Sequence, residues 1–145
     1  MRAVVQRVKE TSLKVDGKII SKIPSGLVVF LGVKKGDSKE TALKLANKIC
    51  ALRVFEDENG KMNKSVKDVG GQILSVSQFT LYGDVSHGNR PGFSDAEVPE
   101  LAKPVYEYFS KCLQDNGVIT KLGVFGADMK ISQINDGPVT IIYEM

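Results

Sequence analysis

The chain has 145 residues, a length that fits one domain around a single core. Its 42% hydrophobic and 26% charged content is ordinary for a soluble globular protein, and the chain holds no low-complexity tract. The net charge of +3 is too small to point to nucleic acid by itself.

The opening residues, Met1-Arg2-Ala3-Val4-Val5-Gln6-Arg7, carry no signal-peptide apolar run. The longest apolar stretch, residues 26–33, is far too short to cross a membrane. The expected compartment is the cytoplasm. Residues 1–8 alternate as a strand, with Ala3, Val5 and Arg7 on one face. Residues 12–15 and 18–23 flank Asp16-Gly17, a turn pair that accepts positive φ, and are expected to form a hairpin. Residues 26–33 read as a strand buried on both faces.

Asp37 and Glu40 have capping-box spacing, and Ala42, Leu45, Ala46 and Ile49 recur at helical intervals, so a helix is expected over 38–51. A short strand over 52–55 precedes a hairpin turn at Asn59-Gly60, and residues 72–82 read as a longer strand. Residues 83–95, rich in Gly, Asn, Ser and Asp, form a loop. The second helix has Leu101, Val105, Tyr108 or Phe109, and Cys112 as its expected inner stripe, with Pro99 and Pro104 early and Gly117 as its cap. Three strands over 118–125, 129–134 and 139–143 close the chain. The expectation is a single α+β domain over 1–145, with a mostly antiparallel, barrel-like sheet covered by two helices.

Three constellations stand out. In Ser75-Val76-Ser77-Gln78-Phe79-Thr80-Leu81, Gln78 and Thr80 share a strand face that usually carries apolar groups. An amphipathic strand with a polar face is the plain alternative. In Asn135-Asp136-Gly137-Pro138-Val139-Thr140 every early residue is turn-forming. A Gly-Pro bond also adopts cis at low cost, turning two successive carbonyls the same way as an acceptor without a side chain. Gly88-Asn89-Arg90-Pro91-Gly92-Phe93 is a surface turn or a phosphate or ribose contact, and His87 beside it lacks an evident orienting carboxylate. Cys50 and Cys112 sit in apolar helical patterns and read as core thiols, so with one histidine no metal site is expected. Lys39, Lys44, Lys48, Lys61, Lys64 and Lys67 read as solvated faces.

With these motifs assembled, the chain closely resembles the D-aminoacyl-tRNA deacylase family. The resemblance runs from Arg2-Ala3-Val4-Val5-Gln6-Arg7-Val8 through Ser77-Gln78-Phe79-Thr80-Leu81, Gly88-Asn89-Arg90-Pro91 and Gly123-Val124-Phe125-Gly126-Ala127-Asp128-Met129 to Asn135-Asp136-Gly137-Pro138-Val139-Thr140. Gly92 stands where the family commonly has serine. The resemblance implies a homodimer in which the cis Gly137-Pro138 unit of one subunit enters the active site of the other. Ser77, Gln78, Phe79 and Thr80 are then the catalytic strand, and Gly137, Pro138, Arg7 and Met129 the substrate-binding residues, with Arg7 supporting the Gly-Pro unit. No metal or organic cofactor is implied.

The implied substrate is the ester joining an amino acid to the terminal adenosine of tRNA, with D-amino acids and mischarged glycine removed and L-amino acids spared. Backbone N–H groups of Phe79 and Thr80 are the expected oxyanion donors. Thr80 has no evident base beside it, so the substrate's 2′-hydroxyl, rather than Thr80, is the expected guide for the attacking water. Two other readings compete: a non-catalytic dimeric RNA-binding module on the same fold, and an amidohydrolase with Thr80 as nucleophile.

Overall fold

The alternation that marks residues 1–8 as a strand continues much further. In the computed structural model, which describes all 145 residues, β1 runs over Arg2–Val15 without a break. It is followed by β2 (Lys18–Ile23) and β3 (Gly26–Gly32), and then by α1 (Lys39–Cys50). Next come β4 (Arg53–Glu56), β5 (Met62–Ser65) and β6 (Gln72–Ser77). A 3-10 turn over Phe79–Tyr82 ends the β6 segment, and α2 (Pro99–Asp115), β7 (Thr120–Leu122) and β8 (Lys130–Glu144) complete the chain.

β1 organises the sheet. One edge pairs antiparallel with β8 from Arg2 to Lys14, while β3 takes Arg2 to Val8 and β2 takes Thr11 to Val15. The β1–β2 turn has Asp16 at φ 48° and Gly17 at φ 75°, as an Asp-Gly hairpin requires. From β3 the sheet turns parallel, β3 to β6 and β6 to β7. These two parallel pairs stand within a mostly antiparallel sheet, because the connections that return to those edges are long enough to carry helices across one face. The Ser21 hydroxyl of β2 donates to the Leu122 carbonyl of β7 at 2.6 Å, nearly closing the sheet into a barrel. β4 and β5 form a separate hairpin around Asn59-Gly60.

Two apolar cores result. Val8, Leu13, Ile23, Val28, Leu74 and Val76 fill the barrel. The alternate residues Ala3, Val5, Leu27, Val29, Leu31 and Ile73 face both helices. β3 is therefore buried on both sides, as its continuous apolar run requires.

Several boundaries differ from expectation. Ser38, not Asp37, caps α1, accepting the Thr41 N–H at 3.3 Å. Asp37 instead accepts the Lys34 N–H at 2.7 Å and the Met1 ammonium at 2.8 Å. In α2 the inner stripe is Ala102, Tyr106, Phe109 and Leu113, and Leu101 is exposed. Gly117 follows α2 at φ 81°, donating to the Gln114 carbonyl. The two expected closing strands are one strand, β8, whose interruption is a bulge rather than a turn. The strand expected over 118–125 shrinks to β7, since residues 123–129 leave the sheet. Cys50 and Cys112 are buried and free. No helix is long and apolar enough to cross a membrane.

Candidate functional site

The parallel strands β3 and β6 end side by side, and their carboxyl ends open into a cleft of about 560 Å³. Its floor is Leu31, Val33, Val76 and Ser77. Gln78 and Phe79 form one wall, and Phe93, Ala96 and Glu97 lead a second wall into the start of α2. Phe125 to Met129, with Ile131 of β8, form the third. Most of this surface is apolar, the usual character of a site that takes up a flat organic group and fixes it with few polar atoms.

The expected strand over 72–82 stops at Ser77. Gln78 leaves β geometry at φ −145°, ψ 78°, its N–H still donating to the Leu31 carbonyl at 2.7 Å, and its carbonyl accepts the Leu81 N–H at 3.3 Å. The first N–H groups of such a turn, here those of Phe79 and Thr80, have no acceptor within it. The change from strand to turn alters the expected geometry without separating the residues. The Gln78 amide donates to the Thr80 hydroxyl oxygen, and Thr80 is exposed at the rim rather than inside the cleft.

Phe79 is 56% exposed, and its ring meets Phe93 edge-on with centroids 5.0 Å apart. Phe93 is carried there by the loop that sequence marks at 83–95. Paired hydrogen bonds of 2.8 Å between Asp84 and Gly92 close that loop at its neck. His87, Asn89 and Arg90 remain exposed on the excursion, outside the cleft lining. The carboxylates on the lining are already engaged. Glu97 accepts the Val98 N–H at 2.9 Å, and Asp128 pairs with Lys130 at 2.8 Å. Among the expected surface lysines, Lys44 pairs with Glu40 and Lys64 with Glu58.

Met129 lines the cleft, but Arg7, Gly137 and Pro138 do not. They form a second place, on the β1–β8 ladder. Gln6 pairs with Thr140 and Val8 with Asn135, so Asp136-Gly137-Pro138-Val139 stand opposite Arg7 alone. The buried Arg7 donates from Nε to the Asp136 carbonyl at 3.0 Å and from a terminal nitrogen to the Val54 carbonyl at 2.6 Å. Its guanidinium also lies 3.4 Å from the Asp136 carboxylate. The Gly137–Pro138 bond is cis, and both residues are exposed or nearly so. Gly137 has φ 130°, and a Cβ there would stand 2.9 Å from the Val139 nitrogen, so only glycine fits.

The residues that sequence reasoning missed are Phe125, Leu31, Val33 and Ile131. Phe125 lay within the recognised stretch 123–129. The others looked like ordinary core positions; Leu31 and Val33 are buried but form the cleft floor where β3 ends, and Ile131 lies at the start of β8. No cluster of three or more His, Cys, Asp or Glu side chains could hold a metal ion.

A small helix-covered barrel with an apolar cleft at the ends of parallel strands, and a Gly-Pro bulge on its long edge strand, defines the class of protein. The family model described as D-Tyr-tRNA(Tyr) deacylase matches residues 4–144, and the chain belongs to that family. It is 54% identical to a D-aminoacyl-tRNA deacylase of Thermus aquaticus over 144 residues, covering 99% of this chain and 95% of that one. It is 52% identical to a D-aminoacyl-tRNA deacylase of Limosilactobacillus reuteri, covering 99% of each chain. The solved structure of a protein named c-Myc DNA Unwinding Element Binding Protein superposes with a TM-score of 0.93 at 44% identity, covering 100% of this chain and 99% of that one. Another, of a probable eukaryotic D-amino acid tRNA deacylase, shares the fold with a TM-score of 0.85 at 16% identity, covering 99% of this chain and 98% of that one.

Proposed function

We propose that this protein hydrolyses the ester bond of D-aminoacyl-tRNA, releasing the free D-amino acid and tRNA. The observation that carries the reading is a family match across almost the whole chain, together with a cleft walled by Ser77, Gln78, Phe79 and Met129. The partner is the 3′-terminal adenosine of tRNA with its attached amino acid, met in the cytoplasm. Incubation with D-tyrosyl-tRNA should release tyrosine while L-tyrosyl-tRNA survives; equal survival of both esters would overturn the assignment.

In the proposed chemistry the N–H groups of Phe79 and Thr80 hold the carbonyl oxygen as it becomes an oxyanion. Thr80 acts as a positioning group. Its hydroxyl oxygen accepts from the Gln78 amide, and an amide donor withdraws electron density that a nucleophile needs. The vicinal 2′-hydroxyl of the substrate guides the water. Neither a metal nor an organic cofactor takes part.

Chiral selection is assigned to Gly137 and Pro138 of a second copy of the chain, in a homodimer. Their position on the outer edge strand, and their absence from the cleft of their own subunit, support a role across an interface. In this reading their carbonyls hold the substrate's ammonium and occupy the space an L side chain would need. A backbone unit grips no side chain, so many D-amino acids are accepted. Glycine, having no side chain to exclude, is hydrolysed as well.

A second reading, a non-catalytic dimeric module that binds nucleic acid on the same fold, is favoured by the likeness to a solved protein named as a DNA unwinding element binding protein. It predicts nucleic-acid binding without ester loss in the same assay.

A further inference from the structure

Behind the cleft, one hydroxyl joins the elements that build its walls. Tyr106 lies in the second turn of α2, 2% exposed, on the face turned toward the sheet. Its Oη donates to the Ser75 carbonyl at 2.9 Å. The same carbonyl accepts the Gly123 N–H, also at 2.9 Å. Gly123 follows β7 directly and begins the segment that delivers Phe125 to Met129 to the cleft. Beneath that segment the Tyr106 ring packs on Phe125, with centroids 5.9 Å apart and planes tilted by 46°. Ser75 lies two residues before Ser77, where β6 ends.

We propose that Tyr106 is a positioning residue for the deacylase reaction, setting the spacing between the end of β6 and the wall formed by residues 125–129. The proposal rests on the deacylase reading. The alternative is a tyrosine that merely fills space, but the geometry speaks against it. A phenylalanine would fill the same volume without a hydroxyl to desolvate, and a buried hydroxyl costs stability unless bonded. Here the bond goes to the one carbonyl that already anchors the cleft wall, so both acceptor positions of Ser75 are directed at the site. Ser110, one turn further along α2, meets the Ser75 side chain at 3.0 Å between the hydroxyl oxygens and also touches the Tyr106 phenol. Ser110→Ala keeps the Tyr106 bond to the anchoring carbonyl and so serves as a control for loss of a neighbouring hydroxyl alone.

The experiment compares wild type, Tyr106→Phe and Ser110→Ala with D-tyrosyl-tRNA as substrate. Amide hydrogen exchange is followed on the same proteins. Tyr106→Phe keeps the ring against Phe125 and removes one hydrogen bond, so the fold survives. KM is expected to rise roughly three- to tenfold with kcat nearly constant, because a loosened wall weakens ground-state and transition-state binding alike. Exchange should quicken over residues 123–129 and stay unchanged in β1 and β8. Ser110→Ala should leave KM and that exchange at wild-type values. A Tyr106→Phe enzyme with wild-type KM, or with unchanged exchange over 123–129, overturns the proposal. An inactive wild type would instead remove the deacylase reading, and the exchange result would still decide whether Tyr106 holds the wall.

Discussion

Arg7 is the residue whose environment constrains it most. It is a cation at 7% exposure, and its main partners are backbone carbonyls of two other strands, Val54 on β4 and Asp136 on β8. Replacing it with alanine strands both carbonyls and empties the space under the bulge. A loss of about 2–4 kcal/mol is expected. In a thermal melt that is a drop of roughly 5–10 °C. Arg7→Lys should recover only part, since an ammonium lacks the planar fork that reaches both acceptors; a melt unchanged in Arg7→Ala would contradict this account. At Thr80 the expectation runs the other way. Thr80→Ala should keep activity within about tenfold of wild type, whereas a substrate lacking the 2′-hydroxyl should lose on the order of a hundredfold or more. Single-turnover rates on the two substrates check it: a folded, tRNA-binding but inactive Thr80→Ala enzyme would restore Thr80 as nucleophile.

Among the elements, α1 and α2 carry a hidden pH dependence. Burial pushes the Cys50 thiol from its ordinary 9.0 up to about 11, and raises Cys112 on α2 as well. Below pH 9.0 both folded and unfolded chains hold the Cys50 proton, so its contribution is fully present. From there to about 11 the unfolded chain releases the proton while the folded chain keeps it, and stability falls. Denaturation midpoints should therefore decline above pH 9.0, with a shallower slope in Cys50→Ala. The same slope in both proteins would mean that other groups, such as the buried Tyr82 phenol pushed up to about 12, govern the alkaline limb.

At the scale of the whole molecule, β8 is a long edge strand that pairs only with β1 and exposes Ile134 at 56% and Ile142 at 67%. An edge of that length is usually covered or paired. If each cleft borrows Gly137 and Pro138 from a second copy, sedimentation at assay concentrations should show a dimer, and dilution into monomer should abolish ester loss. A fully active monomer would remove the cross-subunit assignment. Glycine tests the exclusion itself. Glycyl-tRNA should be cleaved at a rate comparable to D-alanyl-tRNA; its survival at high enzyme would mean that the cleft grips the D side chain.

Local chemistry was enough for much of this protein. Asp16-Gly17 and Asn59-Gly60 allowed the hairpins, because their backbone needs are met within a few residues. The apolar spacing from Ala42 to Ile49 placed α1 within a residue at each end, and unbroken apolar character marked β3 as doubly buried. The motif at 77–81 falls at the cleft and the motif at 135–140 at the bulge opposite Arg7. Other features depended on partners distant in sequence. Strand residues 72–77 and turn residues 79–82 share one apolar-polar rhythm, and the sheet beyond Leu31 decides where pairing stops. β8 continues through Gly137-Pro138 because Arg7 and Val54 lie beneath it, which no reading of the turn residues could supply. Parallel rather than antiparallel pairing of β3, β6 and β7 is likewise a matter of which edge a long connection returns to. Turns and periodicity are set by near neighbours and so are written in the sequence; edges, strand ends and the backs of bulges are set by whatever packs there, and only the tertiary structure decides it.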